Sequence, residues 1–461
     1  PCGTLFPYTT LFRSRVPEFQ MRLQPNVRPS LFVLLACALA LAGCASPRVE
    51  PLMPTPVLFS ELDVGPLDNI PADERWKPRR VYFATTRERS DDLQRIDYTN
   101  RESDRVSVGM SLIGFGGPQI TWSDLNAYSR QAERPEIVDL SIAGLVEAGQ
   151  FRVAANGRIE DADGATSWLM ADINASIEAA RDRDLLIYVH GAKVNFYNAN
   201  AFAAQLDHFM GRDMTSLAFS WPTRQNIVAY GTGGDVRRAY RSAPALASLL
   251  EVLARESVAR RIHIVCWSAG GRVVNEALRL LGERHAARSS GAADPHSSLR
   301  DAYRIGSVYF AAADVPTDEF LSNLPVLDRI AQRVVVTVSS NDGALNMAQR
   351  FMGGGARIGQ RNTDLDADQM DIVLAADRLE VIDVSRGSDD RGFDITGHRY
   401  WISHPWASSD VVLAIRSDLG PEDRALEPTD LDILWGIPAD YPSRLKRMLS
   451  RSDLQIRSTT D

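Results

Sequence analysis

From about residue 166 the chain sets short, wholly apolar runs between amphipathic stretches, and that alternation admits few architectures. It predicts an α/β fold, a mostly parallel central sheet with helices on both faces. The run Leu185–Val189 (LLIYV) is too short for a helix and is bounded by charge, so it reads as a buried strand. Residues 262–266 (IHIVC) read the same way, and Val273, Val274, Ala277, Leu278 and Leu281 line one face of the helix that follows. Residues 216–222, 305–312, 333–338 and 379–384 supply further strands, the last expected to be the final one; 168–180, 198–210 and 243–255 supply helices. Upstream, 80–86 and the period-two stretch 105–113 predict extra N-terminal strands on one sheet edge. The polar segment 284–300 reads as a solvent loop.

At 461 residues, 44% apolar and 24% charged, the chain suffices for one large domain with additions. A net charge of −8 without lysine or arginine blocks gives nucleic acid no footing. Residues 1–20 lack periodicity and read like a translated sequencing adapter, a non-native leader, so the natural chain is expected to start at Met21. Arg22, Arg28 and the apolar run LFVLLACALALAG then make residues 21–43 a secretory signal, too short to span a membrane comfortably. The box Leu41-Ala42-Gly43-Cys44 resembles that of bacterial lipoproteins, in which the cysteine is lipidated and becomes the mature N-terminus. That resemblance implies a membrane anchor through lipid on Cys44. With Ala45 in place of aspartate, it also implies the outer membrane, facing the periplasm.

Residues 44–78 are rich in proline and read as a flexible tether. Beyond it, 79–165 is expected to be a β-rich extension of the sheet, 166–420 the core, and 421–461 a C-terminal extension. Of four cysteines, only Cys266 would remain as a thiol after processing at Cys44, which leaves no disulfide and no zinc cluster. Seven scattered histidines form no H-E-x-x-H, and the acidic run 364–368 lacks the glycine and glutamate of a calcium loop, so it reads as solvated loop. No metal or cofactor is expected.

Residues 264–271 read IVCWSAGG, placing Ser268 between a strand and an amphipathic helix. A nucleophile elbow, G-x-S-x-G, needs this context, and here Cys266 stands in place of the first glycine. The ordered series YVHGAKVNF, AFSWP, CWSAGG, SSNDGAL and GHRYW spans 188–401. It resembles a bacterial alpha/beta-hydrolase family long catalogued as of unknown function, whose usual forms are HGYNNSF, FSWPS, AHSMGN, SxxDxAL and GHSYF. The likeness includes the ATTR stretch near Thr85 and covers about half the chain. It departs at Ala192-Lys193, where the family has an aromatic residue and asparagine, and at Trp267, where the family has histidine.

The resemblance implies the alpha/beta-hydrolase fold and a serine hydrolase whose nucleophile, acid and base follow in that chain order. Ser268, Asp342 and His398 fit the order, the last two lying beyond strand ends. Asp314 and His404 stay open as alternative acid and base. An oxyanion hole needs two backbone donors, expected from Ala269 and Ala192. His190 and Trp221 read as braces for their loops, and residues 223–245, with Tyr230 and Asp235, as a pocket wall or lid. His263 reads as a core histidine, while His208, His285 and His296 read as surface or loop residues. The expected activity is hydrolysis of a small-molecule ester or acyl substrate through an acyl-enzyme. A peptidase or thioesterase with the same triad, or a non-catalytic envelope scaffold, are the alternatives.

Overall fold

The computed structural model describes residues 49–62, 64–75, 78–92, 96–162, 164–224, 233–289, 298–352, 355–361, 365–386, 398–429 and 433–451. The leader 1–20, the signal 21–43, Cys44, Tyr230 and His296 lie outside these residues.

One sheet dominates. Its strands run β1 (Glu50–Pro51), β4 (Asp139–Val153), β3 (Tyr98–Phe115), β2 (Arg79–Arg89), β7 (Thr215–Ser220), β6 (Leu185–Val189), β8 (Ile262–Trp267), β9 (Ile305–Ala311), β10 (Ala331–Val338), β11 (Leu379–Asp383), β13 (Leu434–Gly436) and β12 (Glu427–Pro428), numbered in chain order. A short β5 (Ile159–Glu160) pairs with β4 alone. From β2 to β13 every neighbouring pair is parallel. Antiparallel pairing is confined to the two edges, β1, β4 and β3 on one side and β12 on the other.

The wholly apolar strands follow from burial on both faces. In β6, Ile187 and Val189 enter one core layer while Leu186 and Tyr188 enter the other, as the two-residue side-chain period of a strand requires. The first layer is closed by helices Ala165–Ala179, Gly234–Glu256, Gly270–Ser289 and Thr317–Ile330. The second is closed by Phe196–Phe209, Pro405–Arg416 and Tyr441–Arg451. Each large side chain so covered contributes about 1.5–3 kcal/mol. With the central strands parallel, their carboxyl ends share one rim, where loops can converge.

Five expectations are corrected. Within the supposed tether 44–78, β1 pairs with β4 and residues Val57–Ser60 form a helical turn. Leu52, Met53, Val57, Leu58, Phe59, Leu67 and Ile70 are buried there, and Leu58 N–H donates to Ser409 Oγ at 3.0 Å. Prolines restrict the unfolded chain and so lower the entropy lost on docking. The Glu50 carboxylate joins the interior, accepting from Asn198 Nδ2 at 2.8 Å and Arg399 Nη2 at 2.6 Å.

Secondly, β11 is not the final strand, because the C-terminal segment places β13 parallel beside it and β12 beyond. Thirdly, the loop expected over 284–300 begins later: helix Gly270–Ser289 continues through its first residues, and Leu299–Tyr303 is helical. Likewise Asp366 caps helix Ala367–Leu374 with Asp368 in its first turn, which removes part of the supposed acidic loop. Finally, His208 is fully buried, stacked on Phe115 and bonded to Ser129 and Arg212. Arg212 is four residues away, but Phe115 and Ser129 come from distant segments, so no local pattern marks it as interior.

Candidate active site

Ser268 follows β8 directly and precedes Gly270, the first residue of helix Gly270–Ser289. Its φ of 53° lies in the left-handed region that side-chain-bearing residues avoid, so the serine is held in backbone strain. Three bonds maintain it. Ser268 N–H donates to Ala311 O at 3.0 Å, and Ser268 O accepts from Gly271 N at 2.9 Å and Asp314 N at 3.1 Å. The side chain at Cys266 is fully buried, with its thiol 3.5 Å from Tyr309 O, so it fits the core on the far side of the turn.

Gly270 and Gly191 explain why the turn needs small residues. A Cβ at Gly270 would lie 2.5 Å from Val189 O and 2.6 Å from His190 O, and one at Gly191 would lie 3.0 Å from Ser268 Cβ. The loop after β6 therefore runs against the serine at backbone contact. Lys193 in that loop has φ 63°, a conformation asparagine accepts more readily than lysine.

His398 Nε2 lies 2.8 Å from Ser268 Oγ, and its Nδ1 lies 2.7 Å from Asp342 Oδ2. Asp342 is fully buried where β10 gives way to helix Gly343–Met352. Its other oxygen, Oδ1, accepts from Leu345 N at 3.0 Å, an N-cap bond that fixes the carboxylate while Oδ2 faces the imidazole. With Nδ1–H donating to the carboxylate, the Nε2 lone pair faces the hydroxyl. The imidazole is held by its backbone too: Trp267 Nε1 donates to His398 O at 3.1 Å, and the two rings lie 5.6 Å apart.

The alternative acid and base are engaged elsewhere. Asp314 is buried against Arg357 Nε at 2.7 Å and Arg272 Nη2 at 3.2 Å. His404 caps helix Pro405–Arg416, its Nδ1 accepting from Trp406 N at 3.2 Å.

Ala269 and Ala192 flank the serine, one after it in the chain and one after Gly191. Neither backbone N–H has an acceptor among the described residues. Two donors left open beside a strained serine form an arrangement suited to a developing oxyanion.

His190 is fully buried, its ring stacked on Trp221 at 5.4 Å. Its Nδ1–H donates to Gly191 O at 2.7 Å, and Trp221 Nε1 donates to His190 O at 2.7 Å. Burial, and then Arg87, hold its pKa well below that of a free imidazole, so it stays neutral. Asp235 accepts from Arg224 N through both oxygens, each at 3.1 Å. His263 is buried against Asp184, with Nε2 3.2 Å from Oδ2.

Arg87 was not singled out by its sequence context. Fully buried at the end of β2, it donates to Val194 O at 2.7 Å and Ser220 Oγ at 2.9 Å, with Nη2 3.4 Å from His190 Nε2. An arginine closing the strand VYFATTR, otherwise fit for complete burial, was the available signal.

Residues 165–415 match the family described as alpha/beta hydrolase of unknown function (DUF900). The chain belongs to this family. The sheet and its helices are accordingly those of an alpha/beta hydrolase, extended at both edges by segments outside the matched region. No curated protein matches the chain.

Proposed function

We propose that this alpha/beta hydrolase is a serine esterase that cleaves a carboxylic ester through an acyl-enzyme on Ser268. One observation carries the reading: the continuous relay from Ser268 Oγ to His398 Nε2 at 2.8 Å and from His398 Nδ1 to Asp342 at 2.7 Å. In the first step Oγ attacks the ester carbonyl and its proton passes to His398 Nε2. The tetrahedral oxyanion is met by the N–H groups of Ala269 and Ala192, and collapse releases the alcohol, which takes that proton. Water then attacks the acyl group, giving a proton to His398, and Ser268 recovers one as the carboxylic acid departs. A base of this kind contributes about 10²–10⁴ in rate and each oxyanion donor about 10²–10³.

Purified protein treated with a fluorophosphonate probe should label at Ser268. Absence of wild-type labelling, or equal labelling of Ser268→Ala, refutes the reading. Rates on esters, thioesters and amides of graded acyl length separate esterase from thioesterase and peptidase.

The box ending at Cys44 supports a second part of the proposal, anchorage by lipid at that cysteine to the outer membrane, facing the periplasm. Metabolic labelling with an alkyne palmitate should mark the protein and be abolished by Cys44→Ser. Unlabelled wild type refutes the anchor and leaves the chemistry at Ser268 untouched.

A further inference from the structure

The rim opposite Ser268, where β2 begins at Arg79 and β7 at Thr215, carries a cleft of about 270 Å³. It is lined by Glu74, Arg79, Arg80, Arg181, Arg212 and Thr215 among others. Its volume falls just below the ~300–1,000 Å³ of sites for drug-sized molecules, so it suits a small ligand. Three of its arginines reach carboxylates: Arg79 on Asp207, Arg80 on Asp172 and Arg181 on Asp213.

Arg212 does not. It is only 8% exposed, and among the described residues it forms no ion pair and its Nε has no hydrogen-bond partner. Its Nη2 donates to His208 Nδ1 at 3.1 Å, and its guanidinium carbon lies 4.6 Å from the Phe115 ring centre and 5.6 Å from that of Trp122. His208 cannot serve as counter-charge. Ser129 Oγ gives its proton to Leu125 O at 2.7 Å, so at 2.8 Å it accepts from His208 Nε2–H, leaving Nδ1 as a lone pair and the ring neutral.

Aromatic faces offset part of the cost of burying a cation, and an unpaired buried charge keeps the rest. Burial and then the nearby Arg79 push the Arg212 guanidinium down to about 9, against an opposing pull from Asp207, which is itself bonded to Arg79. Glu74, the one carboxylate among the described residues lining the cleft, makes no ion pair with them, though it acts on Arg79 through space. Arg79, with Nη1 bonded to none of the described residues, has donor capacity to spare.

We propose that this cleft binds a compact tetrahedral oxyanion of the phosphate or sulfate type, with Arg212 supplying a charge that no ion pair among the described residues satisfies and Arg79 further donors. Guanidinium forks match such oxygens in geometry and in charge. The site lies at the amino ends of the parallel strands and does not depend on the chemistry at Ser268.

The test is thermal unfolding of the full chain in rising inorganic phosphate, with ionic strength held constant by chloride. The expected result is a saturable rise in melting temperature in the wild type that Arg212→Met abolishes and Arg378→Met, on another surface cleft, retains. Without phosphate, Arg212→Met should melt no lower than wild type, because it removes a buried charge that no ion pair among the described residues balances. Sulfate and glycerol phosphate form further arms: tighter binding of the ester points to an organic phosphate, and equal binding to the free anion. No saturable shift with any of the three, or one that Arg212→Met retains, overturns the proposal. So does a large fall in the melting point of unliganded Arg212→Met, which would make the guanidinium a structural strut.

Discussion

A single methyl group at Gly270 tests the reasoning about the elbow most severely. In Gly270→Ala the new Cβ would sit 2.5 Å from Val189 O and 2.6 Å from His190 O, both backbone atoms with no rotamer to change. Carbon and carbonyl oxygen approach comfortably at about 3.3 Å, so the contacts must open by about 0.7–0.8 Å. The displaced carbonyls belong to the end of β6 and the residue leading into Gly191 and Ala192, so the second oxyanion donor moves away from Ser268. A shift near 1 Å costs about 10²-fold, and loss of a donor about 10²–10³. Overpacking adds about 1–3 kcal/mol of destabilisation, offset in part by the better helix propensity of alanine. The assay is steady-state hydrolysis of a nitrophenyl ester, corrected for the folded fraction by thermal unfolding. We expect kcat to fall about a hundredfold with KM little changed. Gly271→Ala is the milder control: its Cβ would meet no backbone atom but Ala313 Cβ at 3.0 Å, Val315 Cγ2 at 3.1 Å and Phe310 Cδ1 at 3.5 Å, all looser than the contacts at Gly270. A kcat for Gly270→Ala within threefold of wild type would refute the argument.

Asp342→Asn keeps the shape of the relay but favours the wrong imidazole tautomer, and should lower kcat about 10⁴-fold; a loss under tenfold removes Asp342 from the site. Arg87→Met should lower kcat at least tenfold with KM unchanged, because it releases the loop at His190 and Val194 without touching substrate; a selective rise in KM would contradict that. His208 is held neutral by burial and then by Arg212, with Arg134 and Arg79 adding to the effect. The unfolded chain takes up its proton below pH 6.5 and the folded chain does not, so this histidine's contribution is full above that pH and lost as pH falls. At pH 5.5 the loss is about 1.4 kcal/mol, so His208→Gln should lose about that much less stability than wild type between pH 7.5 and 5.5 in urea unfolding. Parallel curves would refute it.

The parallel sheet was legible because its strands are covered on both faces: a run such as LLIYV has no polar face to show. The elbow was legible for a local reason, since a strand, a serine and two glycines must adjoin in the chain to make that turn. Asp342 and His398 came from motif order, not from any local signal, and the bonds that orient them were hidden. The Asp342 cap and the Trp267 bond to His398 O depend on how segments meet. The N-terminal segment was misread because its apolar residues answer to a surface built from far away, Leu58 bonding to Ser409 across 351 positions, and such contacts leave no period in the chain. β13 is three residues long, too short for alternation to be seen. Buried His208 and Arg212 look like surface residues until Phe115, Trp122 and Ser129 are brought around them.

The grip of Glu50 on Arg399 sets where a working fragment can begin. A chain trimmed to the matched stretch 165–415 would retain Ser268, Asp342 and His398, yet the neighbour of that imidazole would have lost a clamp reached from far upstream. Tension applied ahead of β1 falls directly on Glu50, which is both the first residue of the two-residue ladder and the clamp itself. The leading end of the folded chain is therefore coupled mechanically to the histidine, with a single arginine between them.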